Sequence, residues 1–208
     1  MIAQSDLLPE AAVYRIASRL VAVQHAFSDI GGGFKLDVDP RALEDAVFRI
    51  RTILRSIEDS YGVFIGGLAV QHHGYLRFTE DVDVVVDRAH FNEVMEKLRE
   101  ASFVLQPNCT FVNPHTGAVV DLLQEGSKLK DSRDALPHPS LLGPKGGFAS
   151  LPALIQLKLE ANRSQDRADI VNLLKRDMKA CDVIRNQIPD FLRPLFDEQV
   201  RDALRELD

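Results

Sequence analysis

Apolar positions first recur at helical spacing over residues 9–28, where Val13, Ile16, Leu20, Val21 and Val23 line up before Gly31, Gly32 and Gly33 break the pattern. This predicts a helical arm. Asp39 followed by Pro40 is a helix start, an N-cap with proline at the first helical position. Leu43, Val47, Ile50, Leu54 and Ile57 continue it as one apolar stripe, so a second helix is expected over about residues 41–59. The period then shortens. Residues 63–67 form a β-rich run ending in Gly66 and Gly67, and residues 68–74 read as a brief helix stopped by Gly74. A second β-branched run follows at 82–87. Residues 89–103 are amphipathic, with Phe91, Val94, Met95 and Leu98 on one side. Three short strands are expected at 103–106, 109–113 and 118–124, the last preceded by a turn over 113–117.

From Glu125 to Pro152 apolar periodicity disappears and prolines and glycines crowd the second half, which reads as a loop or flap. Residues 153–206 are almost wholly helical in pattern: 153–162, then 166–184, then 191–207 after the Ile188–Pro189 break. The alternation predicts an α/β chain of the α+β kind, a mixed sheet flanked by helices. It divides into an N-terminal helical arm (1–38), a core (39–150) and a C-terminal helical region (151–208).

The chain has 208 residues, 45% of them hydrophobic, which suffices for one substantial core and a small helical appendage. Its formal net charge is −6. That excludes a global basic surface for coating nucleic acid, while leaving open a nucleic-acid substrate gripped at one local patch. Cys109 and Cys181 are too few and too far apart for a disulfide framework or a zinc site, so both are expected to be incidental or buried thiols. No cationic leader followed by an apolar segment opens the chain, and no apolar run approaches the roughly 18 residues that cross a bilayer. A soluble cytoplasmic protein without membrane contact is the expectation.

Three features carry candidate chemistry. Gly66 and Gly67, between strand and helix, are placed to bring backbone N–H groups against an anion. Asp81 and Asp83, at the head of a strand, point to the same face because side chains alternate with a period of two. Two carboxylates so close repel unless something positive lies between them, and a hard divalent cation such as Mg²⁺ is the usual solution. Asp121 interrupts the apolar strand that follows Ala118, Val119 and Val120. If that strand lies beside the one holding Asp81 and Asp83, the third carboxylate completes a two-ion metal site.

Gly66-Gly67, then Asp81-Val82-Asp83, then Asp121 on a later strand resembles the DNA polymerase β-like nucleotidyltransferase superfamily. Arg77, Thr79, Asp81 and Asp83 match the arginine-x-threonine-x-aspartate-x-aspartate form of minimal nucleotidyltransferases and AbiEii-like toxins. The stretch from Leu154 through Lys158, Ala161, Arg163, Asp166 and Asp169 is similar to the lysine-bearing helix motif of that group. The resemblance spans about residues 60–175. It implies that Asp81, Asp83 and Asp121 bind two Mg²⁺ ions and that Asp121 helps activate the acceptor hydroxyl. It also implies that Gly66 and Gly67 approach the phosphates of an NTP by backbone contact.

Lys158, Asn162, Asp166 and Asp169 form one polar stripe if a continuous helix carries them; a break near Ser164 would make Asp166 a helix cap instead and destroy the stripe. Either way Lys158 is expected to meet phosphate, with Asp166 and Asp169 holding it or Arg163 in place. Arg77 is a triphosphate or structural clamp, with Thr79 beside it. Of His72 and His73, one is expected to pack and the other to face solvent. Lys145 is a loop cation.

The expected activity is Mg²⁺-dependent transfer of a nucleoside monophosphate from an NTP to a hydroxyl acceptor in tRNA, protein or a small molecule, with release of pyrophosphate. A toxin of a toxin–antitoxin pair fits, and an antitoxin partner and oligomerisation stay open. The alternative is an inactive nucleotidyltransferase-fold binding or regulatory protein, against which the three intact acids argue.

Overall fold

The computed structural model describes residues 40–129 and 134–207. The arm expected at 9–28, the triple glycine and the N-cap Asp39 lie outside the described residues. Helix α1 (Pro40–Ser56) buries Leu43, Val47, Ile50 and Leu54, the stripe that the spacing predicts. It ends short of residue 59 because the Ser60 hydroxyl donates to the carbonyls of Leu54 (2.8 Å) and Ile57 (3.1 Å), which closes the last turn.

Next come β1 (Gly62–Phe64), α2 (Gly66–His72), β2 (Asp81–Val86), α3 (Phe91–Glu100), β3 (Val104–Leu105), β4 (Thr110–Val112) and β5 (Val119–Gln124). They build a five-stranded sheet in the order β1-β2-β5-β4-β3. Strands β2 and β5 run parallel, and the other pairs are antiparallel. Partners on both sides of β2 explain its unbroken apolar run: Val84, Val85 and Val86 are all fully buried. The strand expected over 103–106 shrinks to a two-residue edge with exposed side chains.

The breaker-rich stretch is not a free flap in its second half. The Gly146 N–H donates to Gly62 O (2.7 Å), the Phe64 N–H to Gly147 O (2.9 Å) and the Ala149 N–H to Phe64 O (2.8 Å), so the segment covers the open edge of β1. Arg51 reaches across from α1, donates to Gly146 O at 2.7 Å and lies over the rings of Phe64 and Phe148. His72 stacks on Phe148 with ring centroids 4.7 Å apart, and His73 Nε2 lies 2.8 Å from Ala149 O. Both histidines therefore pack, where the sequence left one to solvent. Burial, then His73 and Arg51, push His72 down to about 4.

Helices α4 (Leu151–Ala161), α5 (Ser164–Arg176), α6 (Cys181–Gln187) and α7 (Arg193–Arg205) follow. Helix α4 is apolar on two faces because two cores share it. Leu154 and Leu157 join the sheet core, while Ile155 and Leu159 pack with Ile170, Leu174, Ile184 and Phe196. The helix expected over 166–184 breaks at Asp177, whose backbone leaves the helical region (φ −149°, ψ 78°) and whose carboxylate accepts from the Lys179 N–H. The described residues thus form a mixed α+β fold of seven helices and one mixed sheet. Both cysteines are free. No helix among the described residues is long and apolar enough to cross a membrane.

Candidate metal centre

Parallel pairing of β2 with β5 sets Asp81 opposite Val119 and Asp83 opposite Asp121. Paired residues on neighbouring strands project to the same face, and the period of two adds Asp81 to that face. The three half-buried carboxylates converge so that one oxygen from each lies within 4.8 Å of the others. Threonines orient two of them: Thr79 Oγ1 donates to Asp81 Oδ1 at 3.0 Å, and Thr110 Oγ1 to Asp121 Oδ1 at 2.6 Å.

Asp83 bears the electrostatic cost. Burial first, then Asp81 and Asp121, push its carboxyl up to about 7, and Lys158 and Arg163 only partly offset this. Three clustered carboxylate oxygens are the hard donor set that suits a divalent cation, so the three acids can hold a metal ion.

Gly66 and Gly67 lie in the first turn of α2, pressed against this cluster. Gly66 has φ +63°, and a Cβ on it would fall 1.8 Å from Asp83 Oδ2. On Gly67 a Cβ would fall 2.3 Å from Thr79 Oγ1. Both glycines are therefore required by close approach of backbone to a side chain, Gly66 to the Asp83 carboxylate and Gly67 to the Thr79 hydroxyl.

The polar stripe is decided by a break. Helix α4 ends at Ala161, Asn162 takes the left-handed conformation (φ 48°), and Arg163 opens α5 as its N-cap. Asp166 is the third residue of α5 rather than its cap, and it accepts from the Arg163 N–H (3.3 Å) and Nε (2.6 Å). Across this turn Lys158 Nζ donates to Asp166 Oδ1 (3.0 Å) and Asp169 Oδ2 (2.6 Å), with all three side chains buried. Burial alone would raise the Asp166 carboxyl; hydrogen bonds and charges from Arg163 and Lys158 outweigh it and leave it below its usual value. Beyond Arg163, the α4–α5 turn together with Phe191 and Leu195 walls an open groove of about 600 Å³.

Of the residues singled out in the sequence, Asp81, Asp83, Asp121, Gly66, Gly67 and Thr79 thus meet directly. Lys158, Arg163, Asp166, Asp169 and Arg77 form an adjoining charged network, of which Lys158 and Arg163 act on Asp83 through space. Sequence reasoning missed Thr110 and Gln71, the latter buried and donating to Arg77 O at 2.6 Å. A signal for Thr110 existed. Closing the turn through Asn113 and Ala118 and counting outward three steps puts Thr110 opposite Asp121. No family model matches the chain, and no curated protein matches it.

Proposed function

We propose that the chain is a Mg²⁺-dependent nucleotidyltransferase of the polymerase β-like kind, moving a nucleoside monophosphate from an NTP to a hydroxyl acceptor. The observation that carries this reading is the convergence of Asp81, Asp83 and Asp121 from two parallel-paired strands, with no ion-pair partner for any of them among the described residues. Three such oxygens fit a pair of hard cations shared with a triphosphate better than they fit a solvated strand edge, because a cation would relieve the repulsion that otherwise makes Asp83 hold its proton. Bound Mg²⁺ would neutralise the triphosphate and acidify the acceptor hydroxyl.

The remaining roles belong to the chain's own residues. Asp121 has Oδ1 occupied by Thr110, which leaves Oδ2 as the oxygen that would hold an ion beside which the acceptor hydroxyl is activated. Thr79 holds Asp81 in one rotamer. Lys158 and Arg163 supply fixed positive charge beside Asp83, where a triphosphate would lie. The missing Cβ atoms at Gly66 and Gly67 let the start of α2 lie directly against Asp83 and Thr79, which brings its backbone beside the acids where a triphosphate would bind. The groove beyond Arg163 is of a size that takes the organic part of a substrate.

The test is incubation of purified protein with each α-labelled NTP, Mg²⁺ and separate pools of tRNA, cell protein and hydroxylated small molecules, with the Asp81→Asn, Asp83→Asn double variant alongside. Label transferred by wild type alone supports the reading and names the acceptor class. Absence of transfer, together with no metal-dependent NTP binding, replaces it with an inactive scaffold. Growth arrest on expression, abolished in the double variant, would place the activity in a toxin.

A further inference from the structure

Arg77 lies on the segment joining α2 to β2, two residues before Thr79. Its guanidinium faces inward: Nε is 3.1 Å from Asp169 Oδ1 on α5, and Nη1 donates to Phe78 O at 2.7 Å. Gln71 on α2 holds the Arg77 carbonyl. Asp169 is fully buried and fully used, with Oδ2 taking Lys158 at 2.6 Å and Oδ1 taking Gln165 Nε2 at 3.1 Å besides its contact with Arg77. One carboxylate therefore ties α4, α5 and the approach to β2 together. Gly67 shows how tightly the approach is packed, since a Cβ there would fall 3.0 Å from Arg77 Nη2 as well as 2.3 Å from Thr79 Oγ1.

We infer that Arg77 is a positioning residue for the metal centre: anchored by Asp169, it fixes the segment from which the Thr79 hydroxyl orients the Asp81 carboxylate. This rests on the reading of the three acids as a metal centre. The physical reason is the sequence of contacts. Thr79 reaches Asp81 through a single rotatable hydroxyl, so the geometry of that hydrogen bond is only as good as the placement of the Thr79 backbone. That backbone follows directly on Arg77 and Phe78, whose place is set by the ion pair, the Nη1 contact and the Gln71 contact. Without the guanidinium, Asp169 still keeps Lys158 and Gln165, so the loss falls on the segment rather than on the helical packing.

The experiment uses the full chain with Mn²⁺ as the probe, free Mn²⁺ being read by electron paramagnetic resonance and folding by thermal melts on the same samples. Arg77→Met and Thr79→Val should each weaken Mn²⁺ binding by about tenfold or more, the usual effect of removing a group that orients a ligand. The double variant should be no worse than the weaker single, because both break one path. Thr79→Ser should restore binding. Arg77→Lys keeps a charge opposite Asp169 while losing the donor to Phe78; it should fall between wild type and Arg77→Met, and it stays readable if Arg77→Met does not fold. Wild-type Mn²⁺ affinity in Arg77→Lys, or in an Arg77→Met protein with a lowered melting temperature, reduces Arg77 to a structural residue and overturns the inference. Additive losses in the double variant overturn it as well. A wild-type chain that takes up no Mn²⁺ overturns the metal-centre reading, and this inference with it.

Discussion

Asp83 and Asp121, 38 positions apart in the chain, are direct partners across the parallel pairing of β2 and β5. Their mutual repulsion, added to burial and to Asp81, is stored in the folded state as a raised proton affinity at Asp83. A carboxyl near 7 when folded and 3.8 in its ordinary state stabilises the fold fully below about pH 4 and loses that contribution as pH rises toward 7, because the unfolded chain ionises first. The metal-free wild type should therefore lose stability relative to Asp83→Asn between about pH 4 and pH 7. Thermal melts in chelator across that range check this, and saturating Mg²⁺ or Mn²⁺ should narrow the gap at pH 7 in wild type alone.

Gly66→Ala should damage both stability and site. The left-handed backbone costs about 1–2 kcal/mol for a residue with a Cβ. The added methyl would also land on Asp83 Oδ2. Gly117→Ala is the control, because Gly117 shares the positive φ (+74°) with nothing within 4 Å of its Cβ. It should show the stability loss in urea titrations with metal binding unchanged.

Thr110→Val removes the donor that fixes Asp121 Oδ1 while keeping the shape of a β-branched side chain. Loss of one hydrogen bond should cost about 1 kcal/mol in urea denaturation. Metal affinity should fall by about tenfold, as for other groups that orient a ligand, measured by calorimetric titration.

Lys158→Met breaks a buried ion-pair network and leaves Asp166 and Asp169 with less positive charge than they were folded around. The expected destabilisation is about 3–5 kcal/mol. Arg163→Ala should cost no more than about 1 kcal/mol, since that side chain is 67% exposed and its pairing is screened by water. Urea midpoints of the two variants, compared at one pH, decide whether burial sets the difference.

Local physics made much of this protein legible from its residues alone. Periodicity locates most helices and strands, and the two-residue repeat by itself puts Asp81 and Asp83 on one face. The acid at 121 was visible as a polar interruption in an apolar strand. What needed the tertiary structure was whatever depends on pairing partners far along the chain. Whether Asp121 completes the cluster turns on β5 inserting between β2 and β4, and no spacing in the sequence encodes that order. Lys158 shows the same limit on a helix. A continuous-helix pattern and a break at Asn162 are nearly indistinguishable in sequence, because a left-handed cap by asparagine costs little. Yet only the break folds Asp166 and Asp169 back onto Lys158. Residues chose the chemistry; the crossing of chain segments chose which charges neutralise one another and left Asp81, Asp83 and Asp121 without ion pairs among the described residues.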